Sequence, residues 1–167
     1  MRRALLAGVL PAITMLAAVV PAGPARAREP VPFTPGTYPA GHNCDFPVSV
    51  YAVTNKRYQD VTTLADGTTI TRQTGALVVS WTNTITGKTI VTNVSGPQTE
   101  TDNPDGTGTF VGEGNNFLTF GPRSQANTGE PGIVFTSGRA VLEFAAGAGT
   151  SFSVSGTQVN GCALLAG

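Results

Sequence analysis

Tyr58-Gln59-Asp60-Val61-Thr62-Thr63-Leu64-Ala65-Asp66-Gly67-Thr68-Thr69-Ile70-Thr71 is the stretch on which the fold turns. Two runs rich in branched residues flank Asp66-Gly67, a pair suited to a tight hairpin whose central positions take positive φ. The second run continues to Asn83 and sets Leu77, Val79 and Trp81 on one face, with Gly75 marking a bend or bulge. Upstream, 46–54 places Phe46, Val48, Val50 and Ala52 opposite Pro47, Ser49, Tyr51 and Val53. Downstream, Ile85-Thr86-Gly87-Lys88 reads as a turn into 89–95, and 96–106 reads as loop. Strands follow at 107–112, at 116–120, at 133–144 with an interruption at Ser137-Gly138, and at 151–155. The longest break is 121–132, which holds Pro122 and Pro131.

No segment after the first 43 residues carries an apolar stripe of helical period, and 24 Thr among 167 residues suit pleated strands. The chain therefore reads as an all-β antiparallel meander of about eight strands. Cys44 stands just before the first run and Cys162 just after the last, with no other cysteine to pair with. A disulfide between them requires Cα atoms about 4.4–6.8 Å apart. In an even-numbered meander that requirement closes the sheet as a barrel. A two-sheet sandwich is the alternative.

The first residues read as an export signal. Met1-Arg2-Arg3 precedes an apolar run from Ala4 to about Ala22, and Ala25-Arg26-Ala27 supplies a small-x-small cleavage site. The expected organisation is a signal peptide at 1–27, a proline-rich extended leader at 28–43, and one β domain at 44–167. Arg2-Arg3 leaves general secretory and twin-arginine export both open. Removal of 1–27 takes three arginines and no acid, so seven basic residues face ten acidic ones in what remains. The expected location is extracellular, with no membrane association after cleavage.

The precursor is net neutral and only 12% charged, which leaves no basic excess for nucleic acid. His42 is the one histidine and reads as a solvated loop residue, which removes the commonest triads. Asp102-Asn103-Pro104-Asp105-Gly106-Thr107 resembles a calcium loop in composition. Thr101 and Gly112 stand where its first Asp and its bidentate Glu belong, so a plain turn is expected. No pattern calls for a metal or cofactor. Trp81, Phe110, Glu113 and Glu143 are the candidate lining of an interior ligand pocket. If Ala140, Leu142 and Phe144 face the core, Glu143 instead faces water beside Arg139.

Ala25-Arg26-Ala27, Cys44-Asp45-Phe46, Asn83-Thr84-Ile85-Thr86-Gly87-Lys88 and Gly161-Cys162-Ala163 together make the mature domain resemble small secreted actinobacterial proteins of unknown function. The resemblance implies export and a single β domain, and it brings no activity. The expected function is a non-enzymatic binding or envelope-associated module, its partner a small apolar ligand or an extracellular protein. A small hydrolase using carboxylates is the alternative, and an inhibitor presenting 121–132 is the second alternative.

Overall fold

The computed structural model describes residues 28–167; the expected signal segment lies outside the described residues. The elements are β1 (Glu29–Pro30), β2 (Gly36–Tyr38), β3 (Val48–Thr63), β4 (Thr69–Asn83), β5 (Thr89–Asn93), β6 (Gln98–Asp102), β7 (Thr107–Thr119), α1 (Pro122–Thr128), β8 (Ile133–Ala145), β9 (Ala148–Asn160) and α2 (Gly161–Ala166). All pairings are antiparallel, in the order β1-β3-β4-β6-β7-β8-β9, with β2 beside β3 and β5 beside β4. The all-β antiparallel sheet is as the sequence indicates, with nine strands where about eight are expected; it departs from a simple meander at β4, which pairs with both β5 and β6.

The differences are physical. Runs 46–54 and 58–64 fuse into β3 across a bulge at Val53, because β4 offers an unbroken partner along its whole length. Runs 107–112 and 116–120 fuse into β7 in the same way against β8. Within the expected loop 96–106, β6 is polar at every position, yet it pairs with β4 on one side and β7 on the other. The leader adds two edge strands instead of hanging free. At the first hairpin only Gly67 takes a positive φ, +89°, and Asp66 caps the turn by accepting the Thr68 N–H. The loop is thus a wider one than the two-residue type.

The sheet does not close as a barrel. No ladder joins β9 to β3, and an open or sandwich-like sheet fits the pairings. What joins the two ends is covalent: Cys44 and Cys162 are bonded, with Cα atoms 5.5 Å apart and a sequence separation of 118. Buried Asn43 reinforces the junction, its Nδ2 donating to the carbonyls of Phe120 and Gly132 at 3.1 and 3.2 Å. The C-terminal segment, read as a short tail, is α2. Asn160 caps it by accepting the Ala163 N–H, and Leu165 is fully buried beneath it. Asn43→Ala should cost about 1–3 kcal/mol, the usual penalty for orphaning buried polar groups, read as a lowered urea midpoint with unchanged slope.

Two apolar clusters form. The first joins Val48, Val50, Leu77, Val79 and Trp81 to Ile133, Phe135 and Leu165. The second joins Leu118, Phe120 and Val134 to Ala140, with Phe110, Leu142, Phe152 and Val154 against it. The second cluster reveals a bend. Phe152 stands opposite Leu142, and Phe120 continues the ladder past Thr119, the partner of Ile133. Along a straight strand those positions lie about 30 Å apart. The Phe120 and Phe152 rings nevertheless meet edge to face with centroids 5.3 Å apart. Between them Gly114, Gly138 and Gly156 form one cross-strand row, with φ of +70°, +119° and +144°. The sheet bends back on itself at this row, since mid-strand positive φ is open to glycine and little else.

Candidate functional site

The structure does not bring the four expected pocket residues together. Trp81 is 1% exposed in the first cluster, while Phe110 packs against the second. Glu113 is exposed and ion-paired with Arg139, directly opposite it in the ladder. Glu143 is exposed and accepts a hydrogen bond from Ser151 Oγ at 2.8 Å. Ala140 is fully buried, the register that turns Glu143 outward.

Other singled-out features resolve locally. His42 is exposed, stacks on Tyr38 with ring centroids 5.4 Å apart, and meets Asn43 Oδ1 through Nδ1 at 3.0 Å. Asp105 accepts from the Thr107 N–H and hydroxyl, bonds that hold its carboxyl below the ordinary aspartate range. This is a turn, and among the described residues no group of three or more His, Cys, Asp or Glu is placed to hold a metal ion. The 121–132 segment contains α1, tied down by Gln125 Nε2 to the carbonyls of His42 and Phe120 and by Asn127 Nδ2 to Gly149. An inhibitor needs that segment to protrude, and these bonds hold it against the domain.

A cleft of about 210 Å³ lies beside the glycine row, walled by the end of β5, by β7 just past Gly114, by β8 just before Gly138 and by β9 just past Gly156. Asn115, Ser137 and Thr157 are cross-strand neighbours on its wall. All three are exposed, and none uses its side chain in a hydrogen bond among the described residues. Phe135 and Val159, the latter 42% exposed, supply the apolar part. Thr92 and Thr136 also belong to the wall, and their hydroxyl oxygens are buried without a partner. No residue of the wall ionises. Thr136→Val should therefore be neutral or stabilising by up to about 1–3 kcal/mol in thermal unfolding, because it deletes an unsatisfied buried hydroxyl while keeping shape.

A second cleft, of about 280 Å³, lies between α1 and the other arm of the bent sheet and contains Glu100. Burial, and secondarily the negative charge of Asp102, raise the Glu100 carboxyl above its ordinary pKa. The folded state then holds the Glu100 proton more tightly than the unfolded chain does. The penalty is absent below the unfolded pKa, grows as pH rises through that value, and is complete above the folded one. Glu100→Gln should thus raise the melting temperature at neutral pH, and the gain should vanish near about pH 3, below the ordinary carboxyl range.

Sequence reasoning missed both clefts. Asn115 falls between two expected strands, Ser137 at an interruption and Thr157 beyond the last one, and only the register of three strands lines them up. Glu100 belongs to a strand read as loop. No protein-family model matches this chain, and no curated protein or solved structure matches it either.

Proposed function

We propose that the protein is an exported binding module, its open sheet fastened end to end by the disulfide, with the cleft beside the glycine row as its ligand site. The ligand is small and neutral, hydrogen-bonding along one edge and apolar on the other. The observation that carries this reading is the cross-strand row Asn115, Ser137 and Thr157, whose uncommitted donors and acceptors stand next to exposed Val159. Amides and hydroxyls each offer both donor and acceptor capacity, which matches a ligand whose own hydroxyls do the same. A charged ligand would lose its hydration without gaining a counter-charge. At about 210 Å³ the cleft falls below the roughly 300–1,000 Å³ of sites for drug-sized molecules, so it suits a single ring. Export after cleavage near Ala27 is supported by a disulfide that needs an oxidising compartment.

The test is a two-dimensional amide NMR titration of the labelled protein with N-acetylglucosamine and xylitol, against acetate and ethylammonium. The neutral probes should move the amides of 92–94, 115–116, 135–137 and 157–159 with dissociation constants near about 1 mM, roughly −4 kcal/mol. Asn115→Ala with Thr157→Val should weaken that binding about tenfold. Equal shifts from the charged probes, or no shift at these amides from any probe, would overturn the reading.

A further inference from the structure

We propose that the cleft between α1 and the sheet is a second binding site, which takes a small organic cation with an apolar body through the Glu100 carboxylate. This inference stands apart from the neutral-ligand site and uses none of its residues.

Glu100 is half-buried on β6, between Thr71 of β4 and Phe110 of β7 in the ladder. Among the described residues its carboxylate makes no hydrogen bond and no ion pair, while two other acids, Glu113 and Asp60, pair with Arg139 and Arg28. A carboxylate withdrawn from water without a partner is a standing cost that the fold itself does not offset. It shares the cleft with Leu142, Phe144 and Ala148 on the apolar side and with Thr119 and Ser124 on the polar side. An unpaired titratable group held in a cleft is a candidate for binding a ligand of opposite charge.

The surroundings select the ligand. A hard metal ion takes six or more oxygen ligands, and no cluster of three acidic or thiol or imidazole groups stands among the described residues. An anion would be repelled. A primary ammonium carries three N–H donors, and the same cleft offers the Glu100 carboxylate, the Thr119 hydroxyl and the remaining lone pair of Ser124 Oγ, which also accepts the Gly149 N–H at 2.9 Å. Leu142 and Phe144 cover the carbon body, and the Phe144 ring adds attraction for a cation placed over its face. The volume, about 280 Å³, fits one ring and a short amine arm.

The experiment titrates the labelled protein with 2-phenylethylamine, 2-phenylethanol and phenylacetate at neutral pH and follows backbone amides by NMR. The amine should bind at least tenfold more tightly than the alcohol, and the acid should not bind. Shifts should fall on residues 100, 119, 124, 142–144 and 147–149. Glu100→Gln should remove the preference for the amine while leaving the protein folded, as its melting temperature reports. Glu100→Asp, which keeps the charge on a shorter arm, should retain part of that preference. Equal binding of amine and alcohol, an unchanged amine affinity in Glu100→Gln, or shifts confined to other regions would each overturn the proposal. Failure here with intact neutral-probe binding beside the glycine row would leave the first site standing, and the reverse result would leave only this one.

Discussion

Gly138→Ala is expected to lose about 2–6 kcal/mol of stability, and in a domain of ordinary stability, about 5–15 kcal/mol, to leave a large unfolded fraction under mild denaturation. Two costs combine. Gly138 has φ +119°, a region that L side chains rarely enter and that costs on the order of 1–3 kcal/mol. A Cβ there would also run into the Ser155 carbonyl oxygen of the neighbouring strand and sit 3.0 Å from Gly156 Cα. Overpacking of this kind adds about 1–3 kcal/mol. Relief by moving β9 away would come at the expense of the ladder that pairs Gly138 with Gly156. Gly36→Ala is the matched control, since a Cβ at Gly36 meets no atom within 4 Å. It should stay within about 0.5 kcal/mol of the parent. Urea unfolding followed by the fluorescence of buried Trp81 measures both, and equal midpoints for the two variants would show that the sheet does not bend at the glycine row.

Replacing Cys44 and Cys162 together by serine is expected to cost about 2–4 kcal/mol, with about 4.7 kcal/mol as the ceiling for a closed loop of this order. For a domain of this size the melting temperature should fall by roughly 10–15 °C. The loop is long, the bonded cysteines being separated by 118 positions in sequence. The bond also does locally what barrel closure would have done through a ladder, holding the entrance to β3 against the exit from β9. Its loss should therefore loosen Asn43 from Phe120 and Gly132, and α2 from Asn83, whose Nδ2 donates to the Leu165 carbonyl. Hydrogen exchange should quicken first at 41–44 and 161–166. A drop of less than about 2 °C would mean that noncovalent contacts alone hold the two ends.

Strand character was readable where side chains alternate. The runs around Leu77-Val78-Val79, Ile133-Val134-Phe135 and Phe152-Ser153-Val154 carry their burial in their own letters. Elements stabilised by neighbours rather than by their own apolar face were not readable. β6 is Gln-Thr-Glu-Thr-Asp, and only its two partners make it a strand. α1 is Pro-Arg-Ser-Gln-Ala-Asn-Thr, helical from Pro in its first turn to left-handed Gly129, with no buried residue to signal it. The bend was half visible. Gly138 stood out as an interruption, but the row it forms with Gly114 and Gly156 exists only once the register is known. The cysteines gave the correct proximity of the two ends. They misled on closure, because a bond between flanking residues does not require the edge strands to pair.

The candidate sites follow the same rule. Glu143 attracted attention as an acid within an apolar strand and Glu113 as a second candidate lining residue, and the structure leaves both exposed. Glu100 lay in a polar run with no such contrast, yet folding over of the sheet places it in a cleft. A residue's environment at a bend is decided by strands distant in sequence, so local pattern cannot supply it.

Native mass spectrometry of the protein recovered from the medium of a producing cell tests the account most directly. The expected species is a chain beginning at Arg28, two hydrogens lighter than its fully reduced form, carrying a small neutral adduct that Thr157→Val diminishes. A cell-retained, uncleaved chain with two free thiols and no adduct would contradict it.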